Sequence, residues 1–120
     1  MTIKIIVVDT HPLIINGICE TLNGHSQFQI ICQTTNYDEL GELITNFRPD
    51  ILIIDVNLDQ FYDINKLFSL QNPKFPFKII ILSAIEEPYL VMELIRMGVK
   101  GFVTKDEKPE KLLEALEAAI

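Results

Sequence analysis

The sequence contains no apolar run long enough to cross a membrane. A membrane-spanning helix needs about 20 consecutive apolar residues, and every apolar run among the 120 residues is much shorter. The start of the chain also lacks the charged segment and longer apolar stretch that are typical of a secretory leader. We therefore expect a cytoplasmic location and no membrane partner.

Basic residues are scarce as well. Lys and Arg number 10 against 17 Asp and Glu, which gives a formal net charge of -7 at pH 7. Such a surface repels a phosphate backbone, and the basic residues form no cluster interleaved with aromatic side chains. We therefore expect this domain not to bind DNA by itself.

Cysteine occurs only twice, as Cys19 and Cys32. The two residues fall in a predicted helix and a predicted strand, where we expect them to be small buried apolar side chains of a reducing compartment. Two cysteines 13 positions apart do not have the spacing of zinc ligands. The sequence therefore predicts neither a disulfide nor a cysteine metal site.

The overall composition is that of one ordinary globular domain. Its 120 residues are 48% apolar and 22% charged, enough for a single hydrophobic core and too few for two. We find no internal repeat, low-complexity segment or interdomain linker. The predicted domain therefore spans residues 1–120.

Five apolar runs predict strands, and a helical pattern follows each one. The strands are predicted at residues 3–8, 28–32, 51–54, 78–82 and 99–104. The run at 51–54 has no polar alternation, which suits a strand buried on both faces of a parallel sheet. Short links between strands and helices favour an α/β doubly wound, flavodoxin-like sheet of five parallel strands in the order 2-1-3-4-5, with five helices.

The apolar spacing also predicts which face of each helix is buried. In the first helix Leu13, Ile14, Ile18 and Leu22 are expected to face inward, with a stop at Asn23-Gly24, a favourable C-terminal signal. In the fourth helix, which begins near Pro88 and ends before Gly98, the inward residues are expected to be Val91, Leu94 and Ile95, with Tyr89 as a further candidate. Asn36 and Glu39 have the spacing of a capping box at the start of the second helix.

Polar residues follow four of the predicted strands at the point where each strand ends. They are Asp9, Asp55, Ser83 and Lys105. Each alone has an ordinary interpretation, because Asp and Ser close turns or cap helices and Lys is usually solvated. The carboxyl ends of parallel strands meet at one edge of a sheet, where ligands gather. Four such groups at equivalent positions therefore indicate a functional site.

This pattern resembles the receiver domains of two-component response regulators over the whole chain. Asp55, in Ile-Ile-Asp-Val-Asn-Leu, matches the phospho-accepting aspartate, and Asp9 matches the first of two acidic residues after the first strand. Ser83, Lys105 and Phe102 match the switch hydroxyl, the lysine and the aromatic switch position of the family. The resemblance implies a CheY-like fold and a phosphoprotein.

Two segments are most similar to the NarL/FixJ (LuxR-type) subgroup. They are His-Pro-Leu after the first predicted strand and Gly-Phe-Val-Thr-Lys-Asp around the last one. In that subgroup a receiver is usually followed by a helix-turn-helix DNA-binding domain. The resemblance thus implies transcription regulation, with DNA bound only by an output domain that we expect beyond residue 120.

The resemblance also implies a mechanism and partners. A sensor histidine kinase would donate the phosphoryl group to Asp55, with Mg²⁺ or Mn²⁺ held by Asp9, Asp55 and the backbone carbonyl of Asn57. Lys105 and Ser83 would contact the phosphoryl oxygens, and Ser83 would act on Phe102 as a switch. The domain would be no enzyme beyond assisting its own phosphorylation and dephosphorylation, and it is a candidate homodimer.

Two segments depart from the family pattern. Thr10 replaces the second acidic residue, normally a metal ligand, and Asp59-Gln60 replaces the usual Pro-Gly of the following loop. We therefore expect weak Mg²⁺ binding and slow phosphorylation. One alternative is a phosphorylation-independent pseudo-receiver that dimerises or binds partners. A flavodoxin-like cofactor-binding enzyme is disfavoured, because residues 10–17 form no phosphate cradle and the chain has no tryptophan to cover a flavin.

Overall fold

The computed structural model describes residues 2–55, 64–84 and 88–120, with side chains from Leu67 onward in the second range. Three loop positions named above, Asn57, Asp59 and Gln60, lie outside the described residues. The strands are β1 (Ile3–Val8), β2 (Phe28–Thr34), β3 (Ile51–Asp55), β4 (Lys78–Ser83) and β5 (Gly101–Thr104). The helices are α1 (Pro12–Leu22), α2 (Leu40–Phe47), α3 (Ile64–Ser69), α4 (Pro88–Met97) and α5 (Pro109–Ala119).

Among the described residues, the strands form one parallel sheet in the order β2-β1-β3-β4-β5. The predicted doubly wound fold is therefore confirmed. All five residues of β3 are buried, as its unbroken apolar run predicted. The strand order reverses between β1 and β3, so the carboxyl ends of these two strands are neighbours, with Val8 beside Ile54.

The core has two layers, one on each face of the sheet. Alternate residues of β3 point to opposite faces: Ile51 and Ile53 pack with α1 and α5, whereas Leu52 and Ile54 pack with α2, α3 and α4. Cys19 lies on the first side and Cys32 on the second. Both are free and half-buried rather than fully buried as predicted. No helix in the described part of the chain is long and apolar enough to span a membrane.

The buried face of α1 differs from the prediction. Leu13 is 83% exposed, and Ile15 is buried together with Ile18 and Leu22. Residues 13–15 are all apolar, so several rotations of the helix satisfy the sequence pattern, and packing of α1 against α5 selects one of them. The predicted stop is confirmed: α1 ends at Leu22, and Gly24 has a φ of +90°.

The predicted capping box at the second helix is wrong. The Asn36 side chain accepts a hydrogen bond from the Asp38 backbone N–H at 3.0 Å and so caps a 3-10 turn, Tyr37–Glu39, that precedes α2. The Glu39 carboxylate accepts from the Thr34 hydroxyl at 2.9 Å instead of reaching back to the Asn36 backbone. The Asn36 backbone N–H donates instead to the oxygen of the buried Thr34 hydroxyl at 3.0 Å.

The inner face of α4 is narrower than predicted. Leu94 is buried and Val91 is half-buried, but Ile95 and Tyr89 are 57% and 79% exposed, so the predictions for these two residues are wrong. The helix packs on the core through one row of side chains, Leu90, Leu94 and Met97. Gly98 ends the helix with a φ of +110°, as predicted for a glycine after the last helical turn.

Candidate functional site

Two carboxylates lie together at the carboxyl edge of the sheet. Asp9 directly follows β1 and Asp55 ends β3, and both side chains are almost completely buried. The Lys105 ammonium, which follows β5, lies 2.9 Å from Asp9 Oδ2 and 3.2 Å from Asp55 Oδ1. The three charged residues that the sequence places at separate strand ends are therefore in direct contact.

Backbone pairing fixes the approach of Lys105. Its backbone N–H donates to the Ser83 carbonyl at 2.8 Å, which continues the β4–β5 ladder beyond the pair of Ser83 and Thr104. The Thr104 hydroxyl donates a hydrogen bond to the Glu107 carboxylate at 3.1 Å and stabilises the turn before α5. The Lys105 side chain is consequently only 11% exposed, although most lysines point into water.

Ser83 and Phe102 occupy the two strands next to Asp55. Ser83 is buried at the end of β4, one position beyond Leu82, which pairs with Asp55. Phe102 is half-buried on the side of the sheet covered by α2, α3 and α4, and it pairs with Ile81. Ser83 therefore lies at the edge of the sheet that carries the carboxylates, and Phe102 lies two residues before the end of β5.

His11 is a member of this cluster that the sequence pattern did not single out. Its backbone N–H donates to Asp9 Oδ1 at 2.8 Å, and its ring Nδ1 lies 2.9 Å from the same oxygen. Nδ1 also lies 3.3 Å from Lys105 Nζ and 3.4 Å from the hydroxyl of Thr10, which is exposed. The sequence signal was present, because an Asp side chain just before a helix commonly accepts a hydrogen bond from the backbone N–H two residues further on.

Tyr37 is a second residue that sequence reasoning missed. Its hydroxyl donates to the Asp55 backbone carbonyl at 2.5 Å, across a sequence separation of 18 residues. Burial, together with the negative charges of Asp55 and Asp9, raises the pKa of Tyr37. No local pattern marks this contact, because it depends on where the turn before α2 packs.

The charges of the site are not fully balanced. Burial, with a further contribution from Asp9, raises the pKa of Asp55, and the adjacent Lys105 only partly opposes that rise, as expected for a carboxylate removed from water. One ammonium therefore faces two buried carboxylates, which leaves the pair short of positive charge. Such an imbalance favours the binding of a further cation.

The side chains fit a divalent cation. Oxygen atoms of Asp9 and Asp55 and a ring nitrogen of His11 all lie within 4.8 Å of one another. Asp9 Oδ2 is fully buried and has no hydrogen-bond partner in the described part of the chain; the Lys105 ammonium is close, but not in hydrogen-bonding geometry. Carboxylate oxygens are the ligands that Mg²⁺ prefers. Of the other predicted ligands, Asn57 lies outside the described residues and Thr10 contacts His11.

The fold and this edge define a response regulator receiver domain. Residues 5–117 match the family described as the response regulator receiver domain, and the chain belongs to that family. Receiver domains generally bind Mg²⁺ at an acidic site, the kind of site that Asp9 and Asp55 form here.

Its relatives are response regulators of the NarL/LuxR type. The chain is 28% identical over 117 residues to the transcriptional regulatory protein YdfI of Bacillus subtilis strain 168, covering 98% of this chain and 54% of that protein. It is 24% identical over 115 residues to the nitrate/nitrite response regulator protein NarL of Escherichia coli K12, covering 96% and 53%. The chain thus spans about half the length of the curated relatives that it matches.

Solved structures show the same fold. The signal receiver domain of a NarL response regulator from Mycobacterium tuberculosis superimposes with a TM-score of 0.83 at 23% identity, over 98% of this chain and 96% of that one. The isolated receiver domain of RcsB from Salmonella enterica, with the phosphomimetic BeF3-, gives a TM-score of 0.81 at 21% identity, over 98% and 87%. These likenesses confirm the predicted architecture.

Proposed function

We propose that this chain is the phospho-accepting receiver of a two-component system and that Asp55 accepts the phosphoryl group. The observation that carries the proposal is the buried Asp55 carboxylate at the end of β3, held 3.2 Å from the Lys105 ammonium. Membership of the receiver family supports it. The donor is a phosphohistidine on a sensor histidine kinase.

The transfer is chiefly a problem of positioning and charge. An Asp55 oxygen attacks phosphorus, the phosphorus–nitrogen bond of the donor breaks, and its electron pair returns to the donor imidazole, which takes up a proton. Lys105 pairs with the phosphoryl oxygens, and the Ser83 hydroxyl donates to them. The domain has no catalytic role beyond assisting its own phosphorylation and dephosphorylation.

Asp9 and Asp55 are the ligands of Mg²⁺ or Mn²⁺ in this proposal, with the Asn57 carbonyl added from the family pattern. When bound, the cation would neutralise charge on the transferred group. Thr10 provides no carboxylate at the position where the family has one, so binding is weak, in about the millimolar range.

The output of the receiver is a change of association. Contact between Ser83 and the phosphoryl group frees space for Phe102 and biases the face formed by β4, α4 and β5 between two packings. Phe102 has no hydroxyl, so this switch works by packing alone. The names of the relatives support transcription as the process controlled. In this proposal the chain acts in the cytoplasm as a homodimer, and DNA is bound by an output domain outside residues 1–120.

Acetyl phosphate with Mg²⁺, followed by intact mass, tests the acceptor. We expect one added phosphoryl group on the wild type, none on Asp55→Asn and one on Asp106→Asn, a matched control at an exposed aspartate near the same edge. Labelling that persists in Asp55→Asn would refute the assignment. No labelling of any variant would favour the phosphorylation-independent pseudo-receiver, for which Thr10 is the supporting observation.

A further inference from the structure

We propose that His11 supplies a nitrogen ligand to the divalent cation of this site and thereby increases the preference of the site for first-row transition-metal ions such as Co²⁺ over Mg²⁺. The inference rests on the proposed function in so far as it uses the same acidic edge. It adds a ligand that neither the family pattern nor the residue spacing assigned.

The spacing of the ligand atoms fits an ion. Asp9 Oδ1 and His11 Nδ1 are 2.9 Å apart, and an Asp55 oxygen completes a set within 4.8 Å. Adjacent ligands of an octahedral ion with bonds of about 2.1 Å are roughly 3 Å apart. An ion could therefore bind both Asp9 and His11 with little movement of either side chain.

A cation already lies among these atoms. The Lys105 ammonium is 2.9 Å from Asp9 Oδ2, 3.2 Å from Asp55 Oδ1 and 3.3 Å from His11 Nδ1. It marks a point where positive charge is stabilised by both carboxylates and lies within reach of the His11 ring nitrogen. Asp9 Oδ2, fully buried and without a hydrogen bond among the described residues, is free to bind a metal when Lys105 moves toward a phosphoryl group.

The two contacts of His11 Nδ1 make opposite demands on its proton. A carboxylate such as Asp9 requires an N–H at Nδ1, whereas an ammonium such as Lys105, which only donates, requires a lone pair there. One nitrogen cannot satisfy both, but a metal ion bound to the lone pair replaces both contacts. Thr10 supplies only a neutral, exposed hydroxyl, 3.4 Å from that nitrogen.

The backbone holds His11 in position. Its N–H is fixed by Asp9 at 2.8 Å, and α1 begins at the next residue, Pro12. The His11 side chain is 59% exposed, so the outer side of the site is open to the waters that complete a coordination shell. Imidazole nitrogen favours Co²⁺, Ni²⁺ and Zn²⁺ strongly over Mg²⁺.

All-oxygen sites also bind transition metals more tightly than Mg²⁺, so the test is the change in the ratio of the two affinities. Calorimetric titration of the chain with CoCl₂ and with MgCl₂ should show that His11→Ala weakens Co²⁺ binding by at least about 10-fold. Mg²⁺ binding should change by less than about 3-fold, since Mg²⁺ relies on the carboxylates. His11→Gln should behave like His11→Ala, because the lone pair of the amide nitrogen is delocalised into the carbonyl group and does not bind metal ions.

The chain has only two histidines, so His25→Ala is the matched control and should leave both affinities unchanged. Proton NMR gives a second readout: Co²⁺ should shift an exchangeable imidazole proton far outside the normal range in the wild type and in His25→Ala. That signal should be missing from His11→Ala.

Equal losses for both ions would overturn the proposal, because His11 would then only orient Asp9. A shifted imidazole signal that survives in His11→Ala, or Co²⁺ binding that is unchanged in Asp9→Asn, would overturn it too. The acetyl phosphate experiment separates this inference from the function. An unlabelled Asp55 with His11-dependent Co²⁺ binding would refute the function and support the inference, and the reverse result would refute the inference alone.

Discussion

At the scale of single residues, the site is organised around a shortage of positive charge. Asp9 and Asp55 are both buried, and Lys105 is the ammonium that touches both. This arrangement lowers the stability of the metal-free protein, because each ionised carboxylate loses hydration and repels the other. Substitutions in and beside the site should therefore change both stability and metal binding.

Asp55→Asn should stabilise the metal-free protein near neutral pH. Burial and the charge of Asp9 raise the pKa of Asp55 in the folded protein. The contribution of Asp55 to stability is therefore greatest at pH values below its ordinary pKa, and it is lost as the pH rises through the pKa of the folded state. The advantage of the variant should therefore be large near neutrality and shrink as pH falls toward 3.8. Urea unfolding in the presence of a chelator measures it, with Asp106→Asn as control; a variant less stable than wild type near neutrality would contradict it.

Tyr37→Phe should destabilise the protein by about 1 kcal/mol, because it removes a short hydrogen bond to the backbone of Asp55 and leaves that carbonyl less satisfied. Tyr89→Phe makes the same chemical change at a side chain that is 79% exposed. That control should change stability by less than about 0.5 kcal/mol. Urea denaturation compares the two. Equal effects would show that the hydroxyl of Tyr37 contributes nothing specific.

Thr10→Asp should tighten Mg²⁺ binding by about 10-fold or more, since it restores a carboxylate next to Asp9. It should also quicken phosphorylation by acetyl phosphate and lower the stability of the metal-free protein near neutral pH through added repulsion. Calorimetry and intact mass against time measure these effects. If the variant binds Mg²⁺ no better than wild type, residue 10 does not face the metal.

At the scale of elements, two glycines in helical segments have opposite roles. Gly98 ends α4 with a φ of +110°, and an added Cβ would lie 3.4 Å from the Phe68 ring. Gly17 lies inside α1, where an added Cβ would meet nothing within 4 Å. The positive φ at Gly98 requires glycine, whereas Gly17 only weakens the helix in which it lies.

Gly98→Ala should therefore lower the free energy of unfolding by about 1–2 kcal/mol, because alanine is strained in this left-handed backbone conformation. Gly17→Ala should raise the free energy of unfolding by about 0.5–1 kcal/mol, because alanine has the higher helix propensity. Thermal unfolding of both variants beside the wild type tests the pair. Two changes of the same sign would show that the end of α4 does not require glycine or that Gly17 has a packing role.

At the scale of the whole molecule, α4 presents an apolar stripe to solvent. Tyr89, Met92 and Ile95 are 79%, 66% and 57% exposed and recur every three residues along one side of the helix. Exposed aromatic and methionine side chains are typical of interaction surfaces. A second copy of the chain is the partner named in the proposed function.

We expect the beryllofluoride-bound form to self-associate. Met92→Glu should weaken this association, because it places an unpaired charge in the buried interface. Phe47→Glu, a similar change at the exposed end of α2, should leave it intact. Sedimentation at increasing concentration measures the association. A monomer in both the free and the beryllofluoride-bound forms would exclude self-association of this domain alone.

The sequence by itself determined the architecture and the edge of the sheet at which its polar residues lie. Unbroken apolar runs followed by helical spacing leave only a parallel, doubly wound sheet, and the topology of such a sheet brings its carboxyl ends to one edge. Asp9, Asp55 and Lys105 could therefore be placed together from their positions alone. Their roles in phosphoryl transfer stay predictions.

Tertiary packing decided which faces and contacts are realised. Successive apolar residues allow several rotations of a helix, so the burial of Ile15 in place of Leu13 and the exposure of Ile95 depend on the neighbouring elements. The contact of His11 with Lys105 joins residues 94 positions apart. Local spacing carries no information about such pairs, because they form only when the fold brings the two chain segments together.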